Sequence, residues 1–317
     1  MILYLSRCLG DVELYMADKK SKLISNDEMW ERVRMLKRQW LKSLAVAGVT
    51  AMTAMIWNSP VNAADGDVIT FATAPTQSPA KTKEIYGPLV NYMAKTTGKN
   101  IQLVIPRNFL EYTSKMRKAE YDIIFDGPHF VNWRMENIDH QPIARLPGKL
   151  VFAAIVKDGG VVNNIKQLVG KKVCAVNSPN LATLMILDSF PNPVRQPVIV
   201  SARSFKAAFE CLKSGKGEAA FLPVGFWKKF KKKGKTKGLR ILYTTKKKPL
   251  PTRTFSISKR LDAVSRSSIQ KALLNTEGQE GAKPLLKRFR RKNFVDAPSP
   301  EFNGLSRLLL SVWGFHQ

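Results

Sequence analysis

From Val68 onward the chain alternates short runs of β-branched and aromatic residues with longer stretches whose apolar positions recur every three or four residues. The first pattern suits strands and the second amphipathic helices, so the chain reads as a repeated strand–helix series. Residues 68–74 predict a first strand stopped by Pro75, and Thr76-Gln77-Ser78-Pro79 leads into a helix with Pro79 in its first turn. Ile85, Leu89, Tyr92 and Met93 share one face of that helix, and Gly98 ends it. Residues 101–105 predict a strand and 109–118 a helix. In Tyr121-Asp122-Ile123-Ile124-Phe125-Asp126-Gly127-Pro128-His129-Phe130 an unbroken apolar core stops abruptly at Gly-Pro, as in a strand buried on both faces of a parallel sheet. Ligands of open α/β sheets sit beyond the carboxyl ends of strands, so Asp126, Gly127, Pro128 and His129 are the first binding candidates.

A second series follows. Residues 143–146 and 150–156 carry the chain out of the first lobe; 168–176, 197–200, 218–223 and 239–243 predict strands, and 181–190 and 204–214 helices. Residues 254–258 read as a strand returning to the first lobe, with a helix over 261–274. Phe302, Leu305, Leu308, Leu309 and Val312 recur at helical spacing and predict a terminal helix over 299–315. The expected fold is α/β with two doubly wound lobes: residues 64–150 for the first lobe, 151–248 for the second, and 249–317 for the return.

Upstream, Met35-Leu36-Lys37-Arg38 opens a basic region that runs into the apolar stretch 44–57, and Val61-Asn62-Ala63 is a small-x-small cleavage signal. This predicts an exported protein, cut after Ala63, with residues 1–63 as extension and signal peptide. The apolar run falls short of the roughly 20 residues a membrane span needs. Net charge is +28, from 52 Lys and Arg against 24 Asp and Glu. The first 63 residues hold only 9 of those cations and 6 of the acids, so the excess belongs to the exported part. Outside the cell nucleic acid is not the expected partner, which leaves anionic ligands or the polyanionic envelope. The densest runs, 227–237 and 287–292, lack a groove-reading motif and read as solvated helix ends. Cys174 on a strand and Cys211 on the covering helix could lie within bridging distance, although their burial favours two free thiols. No metal spacing and no Gly-rich nucleotide loop is present, so no cofactor is expected.

Arg107-Asn108-Phe109, then Lys118-Ala119-Glu120-Tyr121-Asp122-Ile123-Ile124-Phe125-Asp126-Gly127-Pro128, with Leu168-Val169-Gly170-Lys171-Lys172-Val173 and Gly217-Glu218-Ala219-Ala220, resembles the phosphate/phosphite/phosphonate ABC-transporter periplasmic binding proteins. The resemblance covers most of residues 68–275. It implies a type II periplasmic-binding-protein fold with two hinge crossings, and a monomer that captures a small anionic, phosphonate- or phosphate-like solute for an ABC permease. Thr76, Gln77, Phe109, Gly127, Pro128 and His129 on one lobe, and Ser178, Asn180 and Thr183 at a helix N-terminus on the other, are then the expected ligand contacts. Three departures stand out. Pro179 removes an N–H donor from the turn where phosphonate binders carry a Ser/Thr-rich cradle, Phe109 stands where Tyr is common, and Pro223-Val224-Gly225 replaces the acidic residue of amine-recognising members. Other readings are a periplasmic sensor partnered with a membrane signalling protein, an enzyme on the same scaffold with Asp126 and His129 as an acid/base pair, and an envelope polyanion binder.

Overall fold

The computed structural model describes residues 68–247 and 249–315. The extension, the leader and its cleavage point, and His316, lie outside them. Among the described residues ten strands form two five-stranded sheets. The first has the order β2-β1-β3-β10-β4 (Ile101–Val104, Ile69–Thr73, Ile123–Asp126, Thr254–Ser258, His140–Arg145), and the second β7-β6-β8-β5-β9 (Val198–Ala202, Lys172–Val176, Ala219–Pro223, Phe152–Lys157, Leu239–Thr244). In each sheet three strands are parallel and the fourth runs against its neighbours. Helices α1 (Pro79–Thr97), α2 (Phe109–Arg117) and α3 (Pro128–Asn137) follow the first three strands, and α4 (Leu181–Asp188), α5 (Phe205–Lys213) and α6 (Val224–Lys232) follow β6, β7 and β8. Helices α7 (Ala263–Leu274) and α8 (Lys283–Phe289) then pack against α1. Each lobe is thus the expected alternation of strand and helix.

Local chemistry sets these boundaries. The Ser78 side chain caps α1 with Pro79 at its start, and Gly98 ends it with φ +66°, a left-handed conformation that costs glycine little. Asn108 caps α2, and Asp262 caps α7. In the first lobe Phe71, Phe125, Phe255 and Phe294 interlock beneath the sheet, Phe125 and Phe255 with ring centroids 4.3 Å apart. Each such ring removed from water contributes roughly 1.5–3 kcal/mol.

Two segments cross between the sheets, β4 to β5 and β9 to β10. They pair with each other: the Leu150 N–H donates to the Leu250 carbonyl at 2.7 Å, and the reverse bond is 3.0 Å. A third link comes from the chain end, where the structure departs from expectation. Residues 299–315 form no α-helix but two single 3-10 turns, Ser299–Phe302 and Ser306–Leu309. Gly304, at φ +73°, breaks the helical ladder that the apolar spacing suggested. Phe302, Leu308 and Leu309 are buried all the same. The Ser306 N–H donates to Asn132 Oδ1 on α3 at 2.8 Å, and Arg307 pairs with Asp188 on α4, so the strap touches both lobes.

The cysteines are a second correction. Cys174 on β6 and Cys211 on α5 form a disulfide across a Cα–Cα distance of 6.0 Å. Cys174 is buried and Cys211 half-buried, and their placement on a strand and the helix that covers it brings the two sulfurs within bridging reach instead of leaving the free thiols expected.

Candidate functional site

The first lobe meets the second at the turn between β3 and α3. Pro128 opens α3, where a missing N–H costs nothing, and the helix has no side-chain cap. A Cβ on Gly127 would fall 2.6 Å from His129 Cε1, so glycine is what lets the imidazole fold back over the turn. His129 is 2% exposed, packs on Phe130, and places Nε2 3.2 Å from the carbonyl oxygen of Pro179. A carbonyl only accepts, so Nε2 carries the proton and Nδ1 a lone pair that no protein group satisfies. Burial pushes the imidazole pKa down to about 4, and the ring is neutral at physiological pH. Pro179 lies in the turn between β6 and α4. The two strand-end turns singled out in the sequence therefore face each other across a hydrogen bond.

Asp126 does not face this junction. Its carboxylate receives Arg134 Nη1 at 2.8 Å and Nη2 at 2.7 Å, and the Tyr112 hydroxyl as well. The Arg134 Nε donates to Ser256 Oγ at 2.9 Å. Asp126 and Arg134 are fully buried. Burial works against the guanidinium charge, but the adjacent carboxylate outweighs it and raises the Arg134 pKa. Asp126 is thus the centre of a strut joining α2, α3 and β10 to β3, and its oxygens are occupied.

Between the lobes lies a cavity of about 720 Å³. Of the expected contacts, Thr76, Phe109, Gly127, Pro128, His129 and Asn180 line it; Gln77, Ser178 and Thr183 do not. The Thr183 hydroxyl donates to the Val176 carbonyl. Asn180 Oδ1 accepts from the Ala182 N–H at 3.0 Å and so caps α4. The Gln77 amide donates to the Thr76 carbonyl. No hydroxyl-rich cradle forms at α4.

Charge enters from a different quarter. Lys229, Arg253, Lys287, Arg288, Arg290 and Arg291 line the same cavity, and no acidic side chain does among the described residues. The segment read as a solvated helix end is one wall of the cleft. Arg253 follows the second crossing, its guanidinium 5.6 Å above the Phe289 ring, and its Nη1 is shut off from bulk water without a protein partner. A buried donor without an acceptor is costly, and a ligand oxyanion would satisfy it. Such a cleft suits an anion. Among the described residues no cluster of metal-ligating side chains occurs.

Two lobes on paired crossings, enclosing a cationic cleft at strand ends, define a solute-binding protein. The family model described as ABC transporter, phosphonate, periplasmic substrate-binding protein matches residues 71–301, and the chain belongs to that family. The phosphate-import protein PhnD of Mycolicibacterium smegmatis is 25% identical over 119 residues, 35% of this chain and 37% of that one. The match thus spans little more than a third of that relative. PhnD1 of Prochlorococcus marinus, solved with methylphosphonate, shares the fold at TM-score 0.60 and 16% identity, over 76% of this chain and 97% of its own. A Xanthomonas citri protein bound to ATP does so at TM-score 0.64 and 13% identity, over 76% and 96%.

Proposed function

We propose that this protein binds a phosphorus oxyanion, a phosphonate or phosphate, non-covalently between its lobes and presents it to an ABC-transporter permease. The observation that carries the reading is Arg253: a shielded, unpartnered guanidinium N–H in a cavity with six cationic side chains and no acid among its described lining residues. Family membership supports the transport role. The ligands of the two structural neighbours, methylphosphonate and ATP, have a phosphorus oxyanion in common. Phe109, Thr76, the Gly127–His129 turn and Asn180 complete the binding wall, with Gln77, Ser178 and Thr183 outside it. A leader cut after Ala63 would deliver the protein to the periplasm, where it acts as a monomer.

The test is a thermal-shift series with inorganic phosphate, methylphosphonate, phenylphosphonate and ATP against alkyl sulfonates and small carboxylates. A ligand at a hundredfold its Kd adds about 2.7 kcal/mol to stability, a readily measured rise in Tm. Stabilisation by phosphorus oxyanions is the expected result. A response confined to carboxylates or sulfonates, or none to any anion, overturns the reading.

A further inference from the structure

The cleft is larger than a bare phosphonate needs, and what it has in excess is aromatic. At roughly 30 Å³ per water-sized group, a methylphosphonate of five heavy atoms occupies about 150 Å³, against a cavity of about 720 Å³. Cavities of about 300–1,000 Å³ house ligands with an extended organic body. The lobes are already in contact through His129 and Pro179, and the strap holds both. On that side the space is set by these contacts.

Rings from both lobes border it. Phe109 opens α2, Phe205 opens α5, and Phe226 lies on α6; all three are only half-buried. Phe205 and Phe226 pack at 5.2 Å with their planes 58° apart, so they do not cover one another face to face. Phe226 also meets Phe230 edge-on at 6.1 Å, and half-buried rings in a cavity wall are stacking partners for a planar group. At the same time Arg253 and the exposed side chains of Lys287, Arg288, Arg290 and Arg291 bring five positive charges to the wall around Phe289. A single dianion leaves most of that charge unanswered. Among the described residues no acidic side chain lines the cavity to receive an amino group.

Resting on the oxyanion-receptor reading above, we infer that the ligand is an organic phosphate or phosphonate carrying several negative charges and a planar aromatic group. Its charged end pairs with Arg253 and the 287–291 wall, and its ring packs against Phe205 and Phe226. Recognition then divides between two parts of the cleft, each removable on its own.

The experiment is a calorimetric titration of the protein with ATP, tripolyphosphate, methylphosphonate and adenosine, repeated on Phe226→Ala and Arg253→Met. ATP is expected to bind about tenfold or more tighter than tripolyphosphate, the scale of one stacking contact, and adenosine not measurably. Phe226→Ala should abolish that advantage and leave tripolyphosphate unchanged, whereas Arg253→Met should weaken both. The ligand series on the unaltered protein decides the matter if a variant does not fold. If tripolyphosphate or methylphosphonate binds as tightly as ATP, the aromatic requirement is wrong and the oxyanion receptor stands. If no phosphorus compound binds, both readings fall.

Discussion

Two segments of this chain are almost equally basic and end in opposite places. Residues 228–237 carry seven lysines, within a stretch, 219–261, that holds no acidic residue at all. On α6 and in the turns that follow it they form a solvent ridge beside buried Trp227 and Phe230, and of the seven only Lys229 reaches the cleft. Residues 287–291 carry four cations around Phe289, and all five residues line the cleft. What separates them is where the supporting helix packs. Helix α8 lies against α1, which brings its end to the interlobe cavity, and Phe289 sits beneath the Arg253 guanidinium. Charge density alone says little about role; the partner of each charge says more.

Arg134 marks the far end of this scale, a cation with a permanent protein partner, and its removal is expected to have the largest effect. Arg134→Met leaves the Asp126 carboxylate buried without its counter-charge, which costs about 3–5 kcal/mol of stability in a urea melt. Replacing both, Arg134→Met with Asp126→Leu, should recover most of that loss, because no uncompensated charge remains. A loss below about 1 kcal/mol in the single variant would show that the pair is not a strut.

Arg290 sharpens the contrast from the other side. It closes α8 with φ +56° and ψ +50°, a left-handed conformation in which a side chain costs roughly 1 kcal/mol relative to glycine. A non-glycine residue held there in a cleft wall fits a role in binding. Arg290→Gly is therefore expected to raise stability by up to about 1 kcal/mol and to weaken oxyanion binding several-fold in the same protein. Unchanged affinity would mean that the cation serves no ligand.

The contrast also explains what could be read in advance. Strand–helix order was legible because each element carries its own periodicity and punctuation: the apolar run ending at Gly127-Pro128, Pro79 in the first turn of α1, the return strand 254–258. The facing turns followed from a general property of strand ends. Arg253 and the 287–291 wall were not legible, because their place depends on α8 packing against α1, residues nearly two hundred positions away. The one local hint was Phe289 embedded among arginines, an apolar ring in a run otherwise suited to water. Thr183 misled for the opposite reason: its hydroxyl is where the sequence put it, near the start of a helix, but the nearby Val176 carbonyl claims it. The disulfide is likewise a tertiary outcome, from a strand meeting its covering helix, whereas the non-helical tail has a local cause, Gly304 at φ +73° inside a helical spacing.

The smallest expected effect is the one that most directly sets the two basic segments apart. Lys231, Lys232, Lys233 and Lys235 are exposed and do not line the cavity. Replacing all four by Gln removes as much charge as the 287–291 wall contains. Exposed charges beyond a Debye length of about 10 Å are largely screened at moderate salt, so equilibrium affinity for an oxyanion should change by less than about twofold. Stability should move by no more than about 0.5 kcal/mol per substitution. The association rate at low salt should still fall, because the summed field steers an anion toward the cleft, and the difference should vanish at high salt. Stopped-flow binding at two salt concentrations reads both quantities. If the fourfold variant instead loses as much affinity as Lys287→Gln with Arg288→Gln and Arg290→Gln, net charge governs binding regardless of position, and the cleft wall has no privileged part in it.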